Sequence, residues 1–208
     1  MSILNILVRK SRTLRTEIRA KGPRRTARIA FDRSVIFALS KIYRFPAAWH
    51  PPTSMRPYRI AVAEAINAMH PKVVCEVGCG LGSILSRVRA PVRIGYDVAP
   101  GVLRAASLIR SRSIDFRAGS INAVDLAYID VLVLVNWIHE VSPQDLEHML
   151  ISLLPRTRYL MLDAIDADNA FGYRFKHDFC FLEGKAELLS STRVEGEGRS
   201  FSLYKVLA

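Results

Sequence analysis

The sequence is poor in three things, and each scarcity narrows what the chain can be. Cysteine occurs three times in 208 residues, at Cys75, Cys79 and Cys180. An odd number with no second pair at metal-ligand spacing implies neither a disulfide framework nor a zinc site, so no metal is expected. Cys75 and Cys79 read instead as small apolar residues in a reducing compartment. Long apolar runs are also missing: "IDVLVLVNWI" at 129–138 is about half of what a bilayer crossing needs, and no secretory start precedes it. The expectation is a soluble, non-secreted, cytoplasmic chain. Acidic residues are scarce in one place only. Residues 1–60 hold 14 Lys and Arg against Glu17 and Asp32, whereas residues 61–208 hold 16 against 17.

That imbalance locates a boundary. Half of the residues are hydrophobic, enough for one domain with a sizeable core and too few for two ordinary ones. We expect a basic, mainly helical N-terminal arm over 1–56 and an α/β domain over 57–208. In the arm, Ile3, Leu7, Leu14 and Ile18 fall near one helical face with arginines around the rest, and Gly22 and Pro23 then stop the helix. A second helix is expected from about Ser34 to Tyr43, broken before the prolines of "FPAAWHPP". From Pro57 the helical pattern returns and runs to Pro71.

Beyond Pro71, strands and helices alternate, the pattern of a doubly wound, mostly parallel sheet. Strands are expected near 73–77, 92–96, 113–117, 129–135, 158–164, 188–194 and 200–207, with helices near 81–89, 100–110, 122–127 and 143–153. Ser142 caps the last helix, Pro143 suits its first position and Asp145 its dipole end. The final two runs, in "LLSSTRVEGEGRSFSLYKVL", meet at a short Gly-containing turn. They predict a hairpin that adds an antiparallel strand to a seven-stranded sheet.

The densest signal is "VVCEVGCGLGSIL" at 73–85, where an apolar strand ends in an acid and glycine at every second position, Gly78, Gly80 and Gly82. In a strand–turn–helix unit such glycines permit a tight turn and let a ligand approach the backbone. A dinucleotide fingerprint wants Gly or Ala at position 83, which is Ser83 here.

With "EVGCGLG" the sequence resembles the class I S-adenosylmethionine-dependent methyltransferases, whose first motif is an acid, any residue, then Gly-x-Gly-x-Gly. The resemblance continues through "IGYDVAP", "DFRAGSI" and "DVLVLVNWIHEVSP" and covers about residues 57–208. It implies S-adenosyl-L-methionine as cofactor, held by Glu76, Gly78, Cys79, Gly80 and Gly82, with Asp97 on the ribose hydroxyls and Val98 beside it. It implies an adenine pocket at Gly119, Ser120 and Ile121, and Asn136 in the loop over the reacting methyl group. The family often has Asp where this chain has Ser120, a weaker acceptor for the adenine amino group. Tyr58 and Arg59 stand where they can reach the cofactor's carboxylate.

Methyl transfer is mainly catalysis by positioning, but a hydroxyl acceptor needs a group to take its proton, and histidine titrates in the useful range. His139 and Glu140, after the fourth strand, are candidates, and so is His177 in the aromatic segment 166–184. There Phe171, Phe175, Phe179 and Leu182 have helical spacing, which fits inward packing in a lid helix. Packing under the sheet or capping at 143 remains open for His139. The expected partner is a small-molecule or sugar-like acceptor. The arginine-rich arm leaves open RNA, an anionic membrane surface, or a lid over the cofactor. The alternatives for the whole chain are an RNA methyltransferase and a non-catalytic nucleotide-binding module.

Overall fold

The computed structural model describes residues 22–110, 112–165, 172–194 and 198–207. The expected apolar face of Ile3, Leu7, Leu14 and Ile18 lies outside them, as does Phe171. The chain divides into two compact units, one ending at Pro57 and one starting at Tyr58.

In the first unit Gly22 and Pro23 open a helix; the helix they were expected to stop lies outside the described residues. Gly22 has φ +79° and Pro23 takes the first position of α1 (Pro23–Tyr43). A proline's fixed φ and missing N–H suit that position as well as they end a helix, so α1 starts eleven residues before the expected Ser34. It stops at Arg44, in the left-handed region at φ +58°. Two single 3-10 turns follow, Ala47–Trp49 and Thr53–Met55. The Asp32 carboxylate accepts from Arg28 Nε at 3.3 Å and from Ser54 Oγ at 2.8 Å, which ties the second turn to α1.

The second unit begins with α2 (Tyr58–Ala68), which buries Tyr58, Val62, Ala63 and Ile66. A seven-stranded sheet follows: β1 (Val73–Val77), β2 (Val92–Asp97), β3 (Ile114–Ala118), β4 (Ile129–Leu134), β5 (Thr157–Ile165), β6 (Ala186–Val194) and β7 (Arg199–Val206), in the order β3-β2-β1-β4-β5-β7-β6. Pairing is parallel from β3 through β5. β7 runs antiparallel between β5 and β6, as the C-terminal hairpin requires. All six residues of β4 are buried. Val131 and Val133 pack into one apolar cluster with Ile66, Val74 and Leu85, while Leu132 and Leu134 pack into another with Cys75, Leu146 and Leu150. Both faces of the centre are therefore covered, which is why its strands read as continuous apolar runs.

Two expected helices are absent. Over 81–89 the chain makes tight turns and one 3-10 turn, Leu85–Arg87. Only residues 78–91 join β1 to β2, and the glycine turn consumes the first of them, so no full crossover helix fits. Ser83 O also accepts from Arg87 Nη1 and from Ser86 Oγ, at 2.8 and 3.2 Å. Over 122–127 there is only the turn Ile121–Ala123, because ten residues connect β3 to β4. The remaining crossovers carry α3 (Pro100–Ile109) and α4 (Pro143–Ile151). Ser142 Oγ accepts from the Asp145 N–H at 3.1 Å, the expected cap. The described part of 172–179 has no helix, so Phe175 and Phe179 do not share a helical face; Phe179 is instead left-handed at φ +59°.

Leu132 is completely buried at the centre of β4. Leu132→Ala is expected to lower unfolding stability by roughly 2–5 kcal/mol, read as a lower urea midpoint with unchanged slope.

Candidate active site

The sheet reverses direction of winding between β1 and β4, which are neighbours although β2 and β3 lie between them in sequence. Loops at the carboxyl ends of strands diverge at such a point and leave a crevice. The glycine turn follows β1 there. Gly78, Gly80 and Gly82 have φ of +69°, +52° and +63°, a conformation that costs most side chains energy and glycine none. A Cβ on Gly78 would stand 2.3 Å from Cδ1 of Trp137, whose Nε1 donates to Val77 O at 2.7 Å. A Cβ on Gly82 would stand 2.7 Å from the Phe116 ring.

Asp97 ends β2 beside this turn. Its Oδ2 accepts from Gly80 N–H and its Oδ1 from Ala99 N–H, both at 2.9 Å. Backbone bonds lock the neighbours in place: Cys79 N–H to Tyr96 O and Gly119 N–H to Asp97 O, each 3.0 Å. Val98 is exposed just beyond, Ser120 is exposed after β3, and Ile121 is buried. The expected set from Glu76 to Asn136 thus gathers at the carboxyl ends of β1, β2, β3 and β4.

Glu76 is a buried acid whose Oε2 has no hydrogen-bond partner among the described residues. Burial pushes its pKa up from 4.5 to about 8, with Asp97 adding to the rise, against the opposing pull of Arg59, the Leu85 N–H and Arg110. Arg110 itself donates to Leu81 O at 2.8 Å and to Ser83 Oγ at 3.3 Å, bracing the turn from α3.

The ends of β4, β5 and β7 hold a second, polar cluster. Asp163 and Arg199 are completely buried, and Arg199 Nη1 donates to Asp163 Oδ2 at 2.8 Å. Asp163 Oδ1 accepts from the Asn136 N–H at 2.8 Å and lies 3.3 Å from His139 Nε2. Tyr173 donates its hydroxyl proton to Asn136 Oδ1 at 2.5 Å and accepts from Arg199 Nη2 at 3.0 Å. The Arg199 guanidinium lies 5.1 Å from the ring centre of Tyr58, which stacks on Phe201. Tyr58 is thus committed to packing, and Arg59 acts on Glu76 through its charge.

His139 is fully buried, with the rings of Tyr173 and His177 centred 5.2 and 5.5 Å from its own. Neither of its ring nitrogens has a hydrogen-bond partner among the described residues. His177 Nε2 lies 2.9 Å from Ile138 O; a carbonyl only accepts, so this nitrogen carries the proton. Burial lowers the His177 pKa, which favours that neutral form. Glu140 is exposed and stands apart from this network. Sequence reasoning did not single out Asp163, Tyr173 or Arg199. The signal available was a charged residue interrupting each of the apolar strands "YLMLDAI" and "RSFSLYKV", since a buried charge in a strand needs a partner.

No known family profile matches this sequence, and no curated protein does. Solved structures do. The N-methyltransferase NodS from Bradyrhizobium japonicum WM9, in complex with S-adenosyl-L-homocysteine, superposes with a TM-score of 0.66 at 12% identity, over 84% of this chain and 99% of that one. Magnesium protoporphyrin IX methyltransferase ChlM from Synechocystis PCC 6803, with bound S-adenosyl-L-homocysteine, gives 0.61 at 14% identity, over 88% and 99%. The methyltransferase domain of bacterial CtHen1-C gives 0.57 at 15% identity, over 73% and 97%. The fold of this chain is that of the class I S-adenosylmethionine-dependent methyltransferases.

Because the folded-state pKa of Glu76 exceeds its unfolded value, the native state binds a proton that the unfolded chain gives up first. Its burial therefore costs progressively more stability as pH rises from 4.5 to about 8. Glu76→Gln is expected to remove that slope: in thermal melts the variant should gain on the wild type across this window, and parallel curves would place the acid outside the buried site.

Proposed function

We propose that the chain is an S-adenosylmethionine-dependent methyltransferase acting on a small-molecule or sugar-like acceptor. The observation that carries this reading is the join between the glycine turn and Asp97: three left-handed glycines brought against a carboxylate at the switch point of the sheet. The residues fit the cofactor on their own chemistry. The side-chain-free turn leaves the backbone approachable, a carboxylate with unused lone pairs suits a pair of hydroxyls, and Val98 offers an exposed apolar surface for a flat base. Buried Glu76, with one oxygen unpartnered, suits the cationic amino-acid end of the cofactor.

When bound, the cofactor supplies an electrophilic methyl group on sulfur. The chain's own work is to hold the acceptor in line and to receive its proton. Gly78, Cys79, Gly80 and Gly82 would bind through the turn, Asp97 would orient the ribose, and Gly119, Ser120 and Ile121 would line the base. Asn136, held in the left-handed region at φ +81° by its bonds to Asp163, Tyr173 and Arg199, borders the acceptor end. His139 is the proton acceptor in this reading: its Nε2 lies 3.3 Å from Asp163 Oδ1, and neither ring nitrogen has a hydrogen-bond partner among the described residues, which leaves a lone pair for the acceptor's proton. Its burial requires the rings of Tyr173 and His177 to shift when an acceptor enters.

Calorimetry with S-adenosyl-L-homocysteine is expected to show binding, and Asp97→Ala to weaken it by a few kcal/mol, on the order of two charge-assisted hydrogen bonds. Preference for a nicotinamide dinucleotide would sink the assignment. With a pool of small molecules and RNA offered beside labelled cofactor, the label should enter the small molecules. His139→Gln should lower kcat by about 10²–10⁴ with little change in cofactor affinity; an unaltered rate would leave His139 as packing.

A further inference from the structure

The exposed apolar side chains of the first unit follow a pattern. Phe31, Val35 and Ile42 are 67%, 38% and 69% exposed, and with Ala38 they recur along α1 at steps of four, three and four, which on a helix makes one stripe. Arg24 and Arg28 extend that stripe toward the N-terminus at the same steps. Of the buried residues of α1, Thr26, Ile29 and Ser40 lie off it, while Leu39, four residues after Val35 and three before Ile42, borders it. Away from the stripe, Phe37 is 57% exposed and the Lys41 ammonium sits 5.2 Å from the centre of its ring.

Charge narrows the occupant. Across the described residues 22–57, Arg24, Arg25, Arg28, Arg33, Lys41, Arg44 and Arg56 face a single acid, Asp32. That carboxylate is already bonded to Arg28 and Ser54, so positive charge outweighs negative around the apolar row. A second copy of α1 would bring like charges together. RNA phosphates would use the arginines, but Val35 and Ile42 have no flat face on which a base can stack. An anionic lipid surface uses both features, since arginines meet headgroups while phenylalanine and isoleucine enter the acyl boundary. No helix among the described residues is long and apolar enough to cross a membrane, so the contact lies in the interface plane.

We propose that α1 docks the protein on anionic lipid surfaces through the stripe Arg24, Arg28, Phe31, Val35 and Ile42. This stands apart from the methyltransferase reading, and either can fail alone.

The test uses the full chain and vesicle co-sedimentation with equal parts phosphatidylglycerol and phosphatidylcholine, beside vesicles of phosphatidylcholine only. Binding is expected to the first and not to the second, and to weaken with salt. Phe31→Ser with Ile42→Ser should cut binding about tenfold or more, with part of the loss persisting in high salt because the lost contact is apolar. Arg24→Gln with Arg28→Gln should cost roughly fivefold per residue at low salt and flatten the salt dependence. All four positions are exposed, so melting temperature and S-adenosyl-L-homocysteine affinity should match the wild type. The proposal is overturned if the wild-type chain ignores anionic vesicles, if the apolar pair of substitutions leaves binding unchanged, or if those substitutions split a dimer seen by light scattering. RNA binding that survives the apolar pair, with no vesicle binding, would also overturn it.

Discussion

The polar end of the sheet depends on one buried charge, the Asp163 carboxylate. It sits on β5 with no exposure, and two elements contact it directly, β7 through Arg199 and the loop after β4 through the Asn136 N–H and the His139 ring, while the 172–179 segment reaches it indirectly, through Tyr173 on Arg199. A carboxylate in such a place is costly unless its charge and its lone pairs are matched together. Removing Arg199 alone would leave the charge uncompensated, which is typically far more damaging than the pair itself is stabilising. The cluster therefore fixes where the two strands meet and how the loop after β4 leaves the sheet.

The end of the crevice at the glycine turn is built differently, from backbone. Its rigidity comes from left-handed glycines and from main-chain bonds that cross between loops, such as Cys79 to Tyr96 and Gly119 to Asp97. Trp137 closes over the turn at a distance that only glycine at position 78 permits. One end of the crevice thus excludes side chains while the other is dense with them.

Short connections shape the rest. Fourteen residues between β1 and β2 and ten between β3 and β4 leave space for turns but not for full crossover helices, so a doubly wound sheet is completed here with single 3-10 turns at both places. Apolar residues of those turns still reach the core, as Leu85 and Ile121 do. The helical spacing of Ile84, Leu85 and Val88 misled for this reason: burial was signalled correctly, and the backbone that delivers it was not.

By itself the sequence determined what depends on neighbours along the chain. Strands buried on both faces, such as β1 and β4, declare themselves as apolar runs, and the exposed β6 is marked by the hairpin turn that follows it, so all seven were legible to within about two residues; so were the Ser142 cap and the glycine turn with its acid, because turn chemistry is local. Helices in the crossovers were not legible, since whether a helix forms depends on the distance between strand ends, a tertiary quantity. The cluster around Asp163 was the least legible part: Asn136 and Arg199 are 63 positions apart, and nothing near either residue names its partner. Only the folded sheet, by laying β7 against β5 and the loop after β4 across both, decided that these charges would meet, because a buried charge is stable only where the fold brings its counterpart to it.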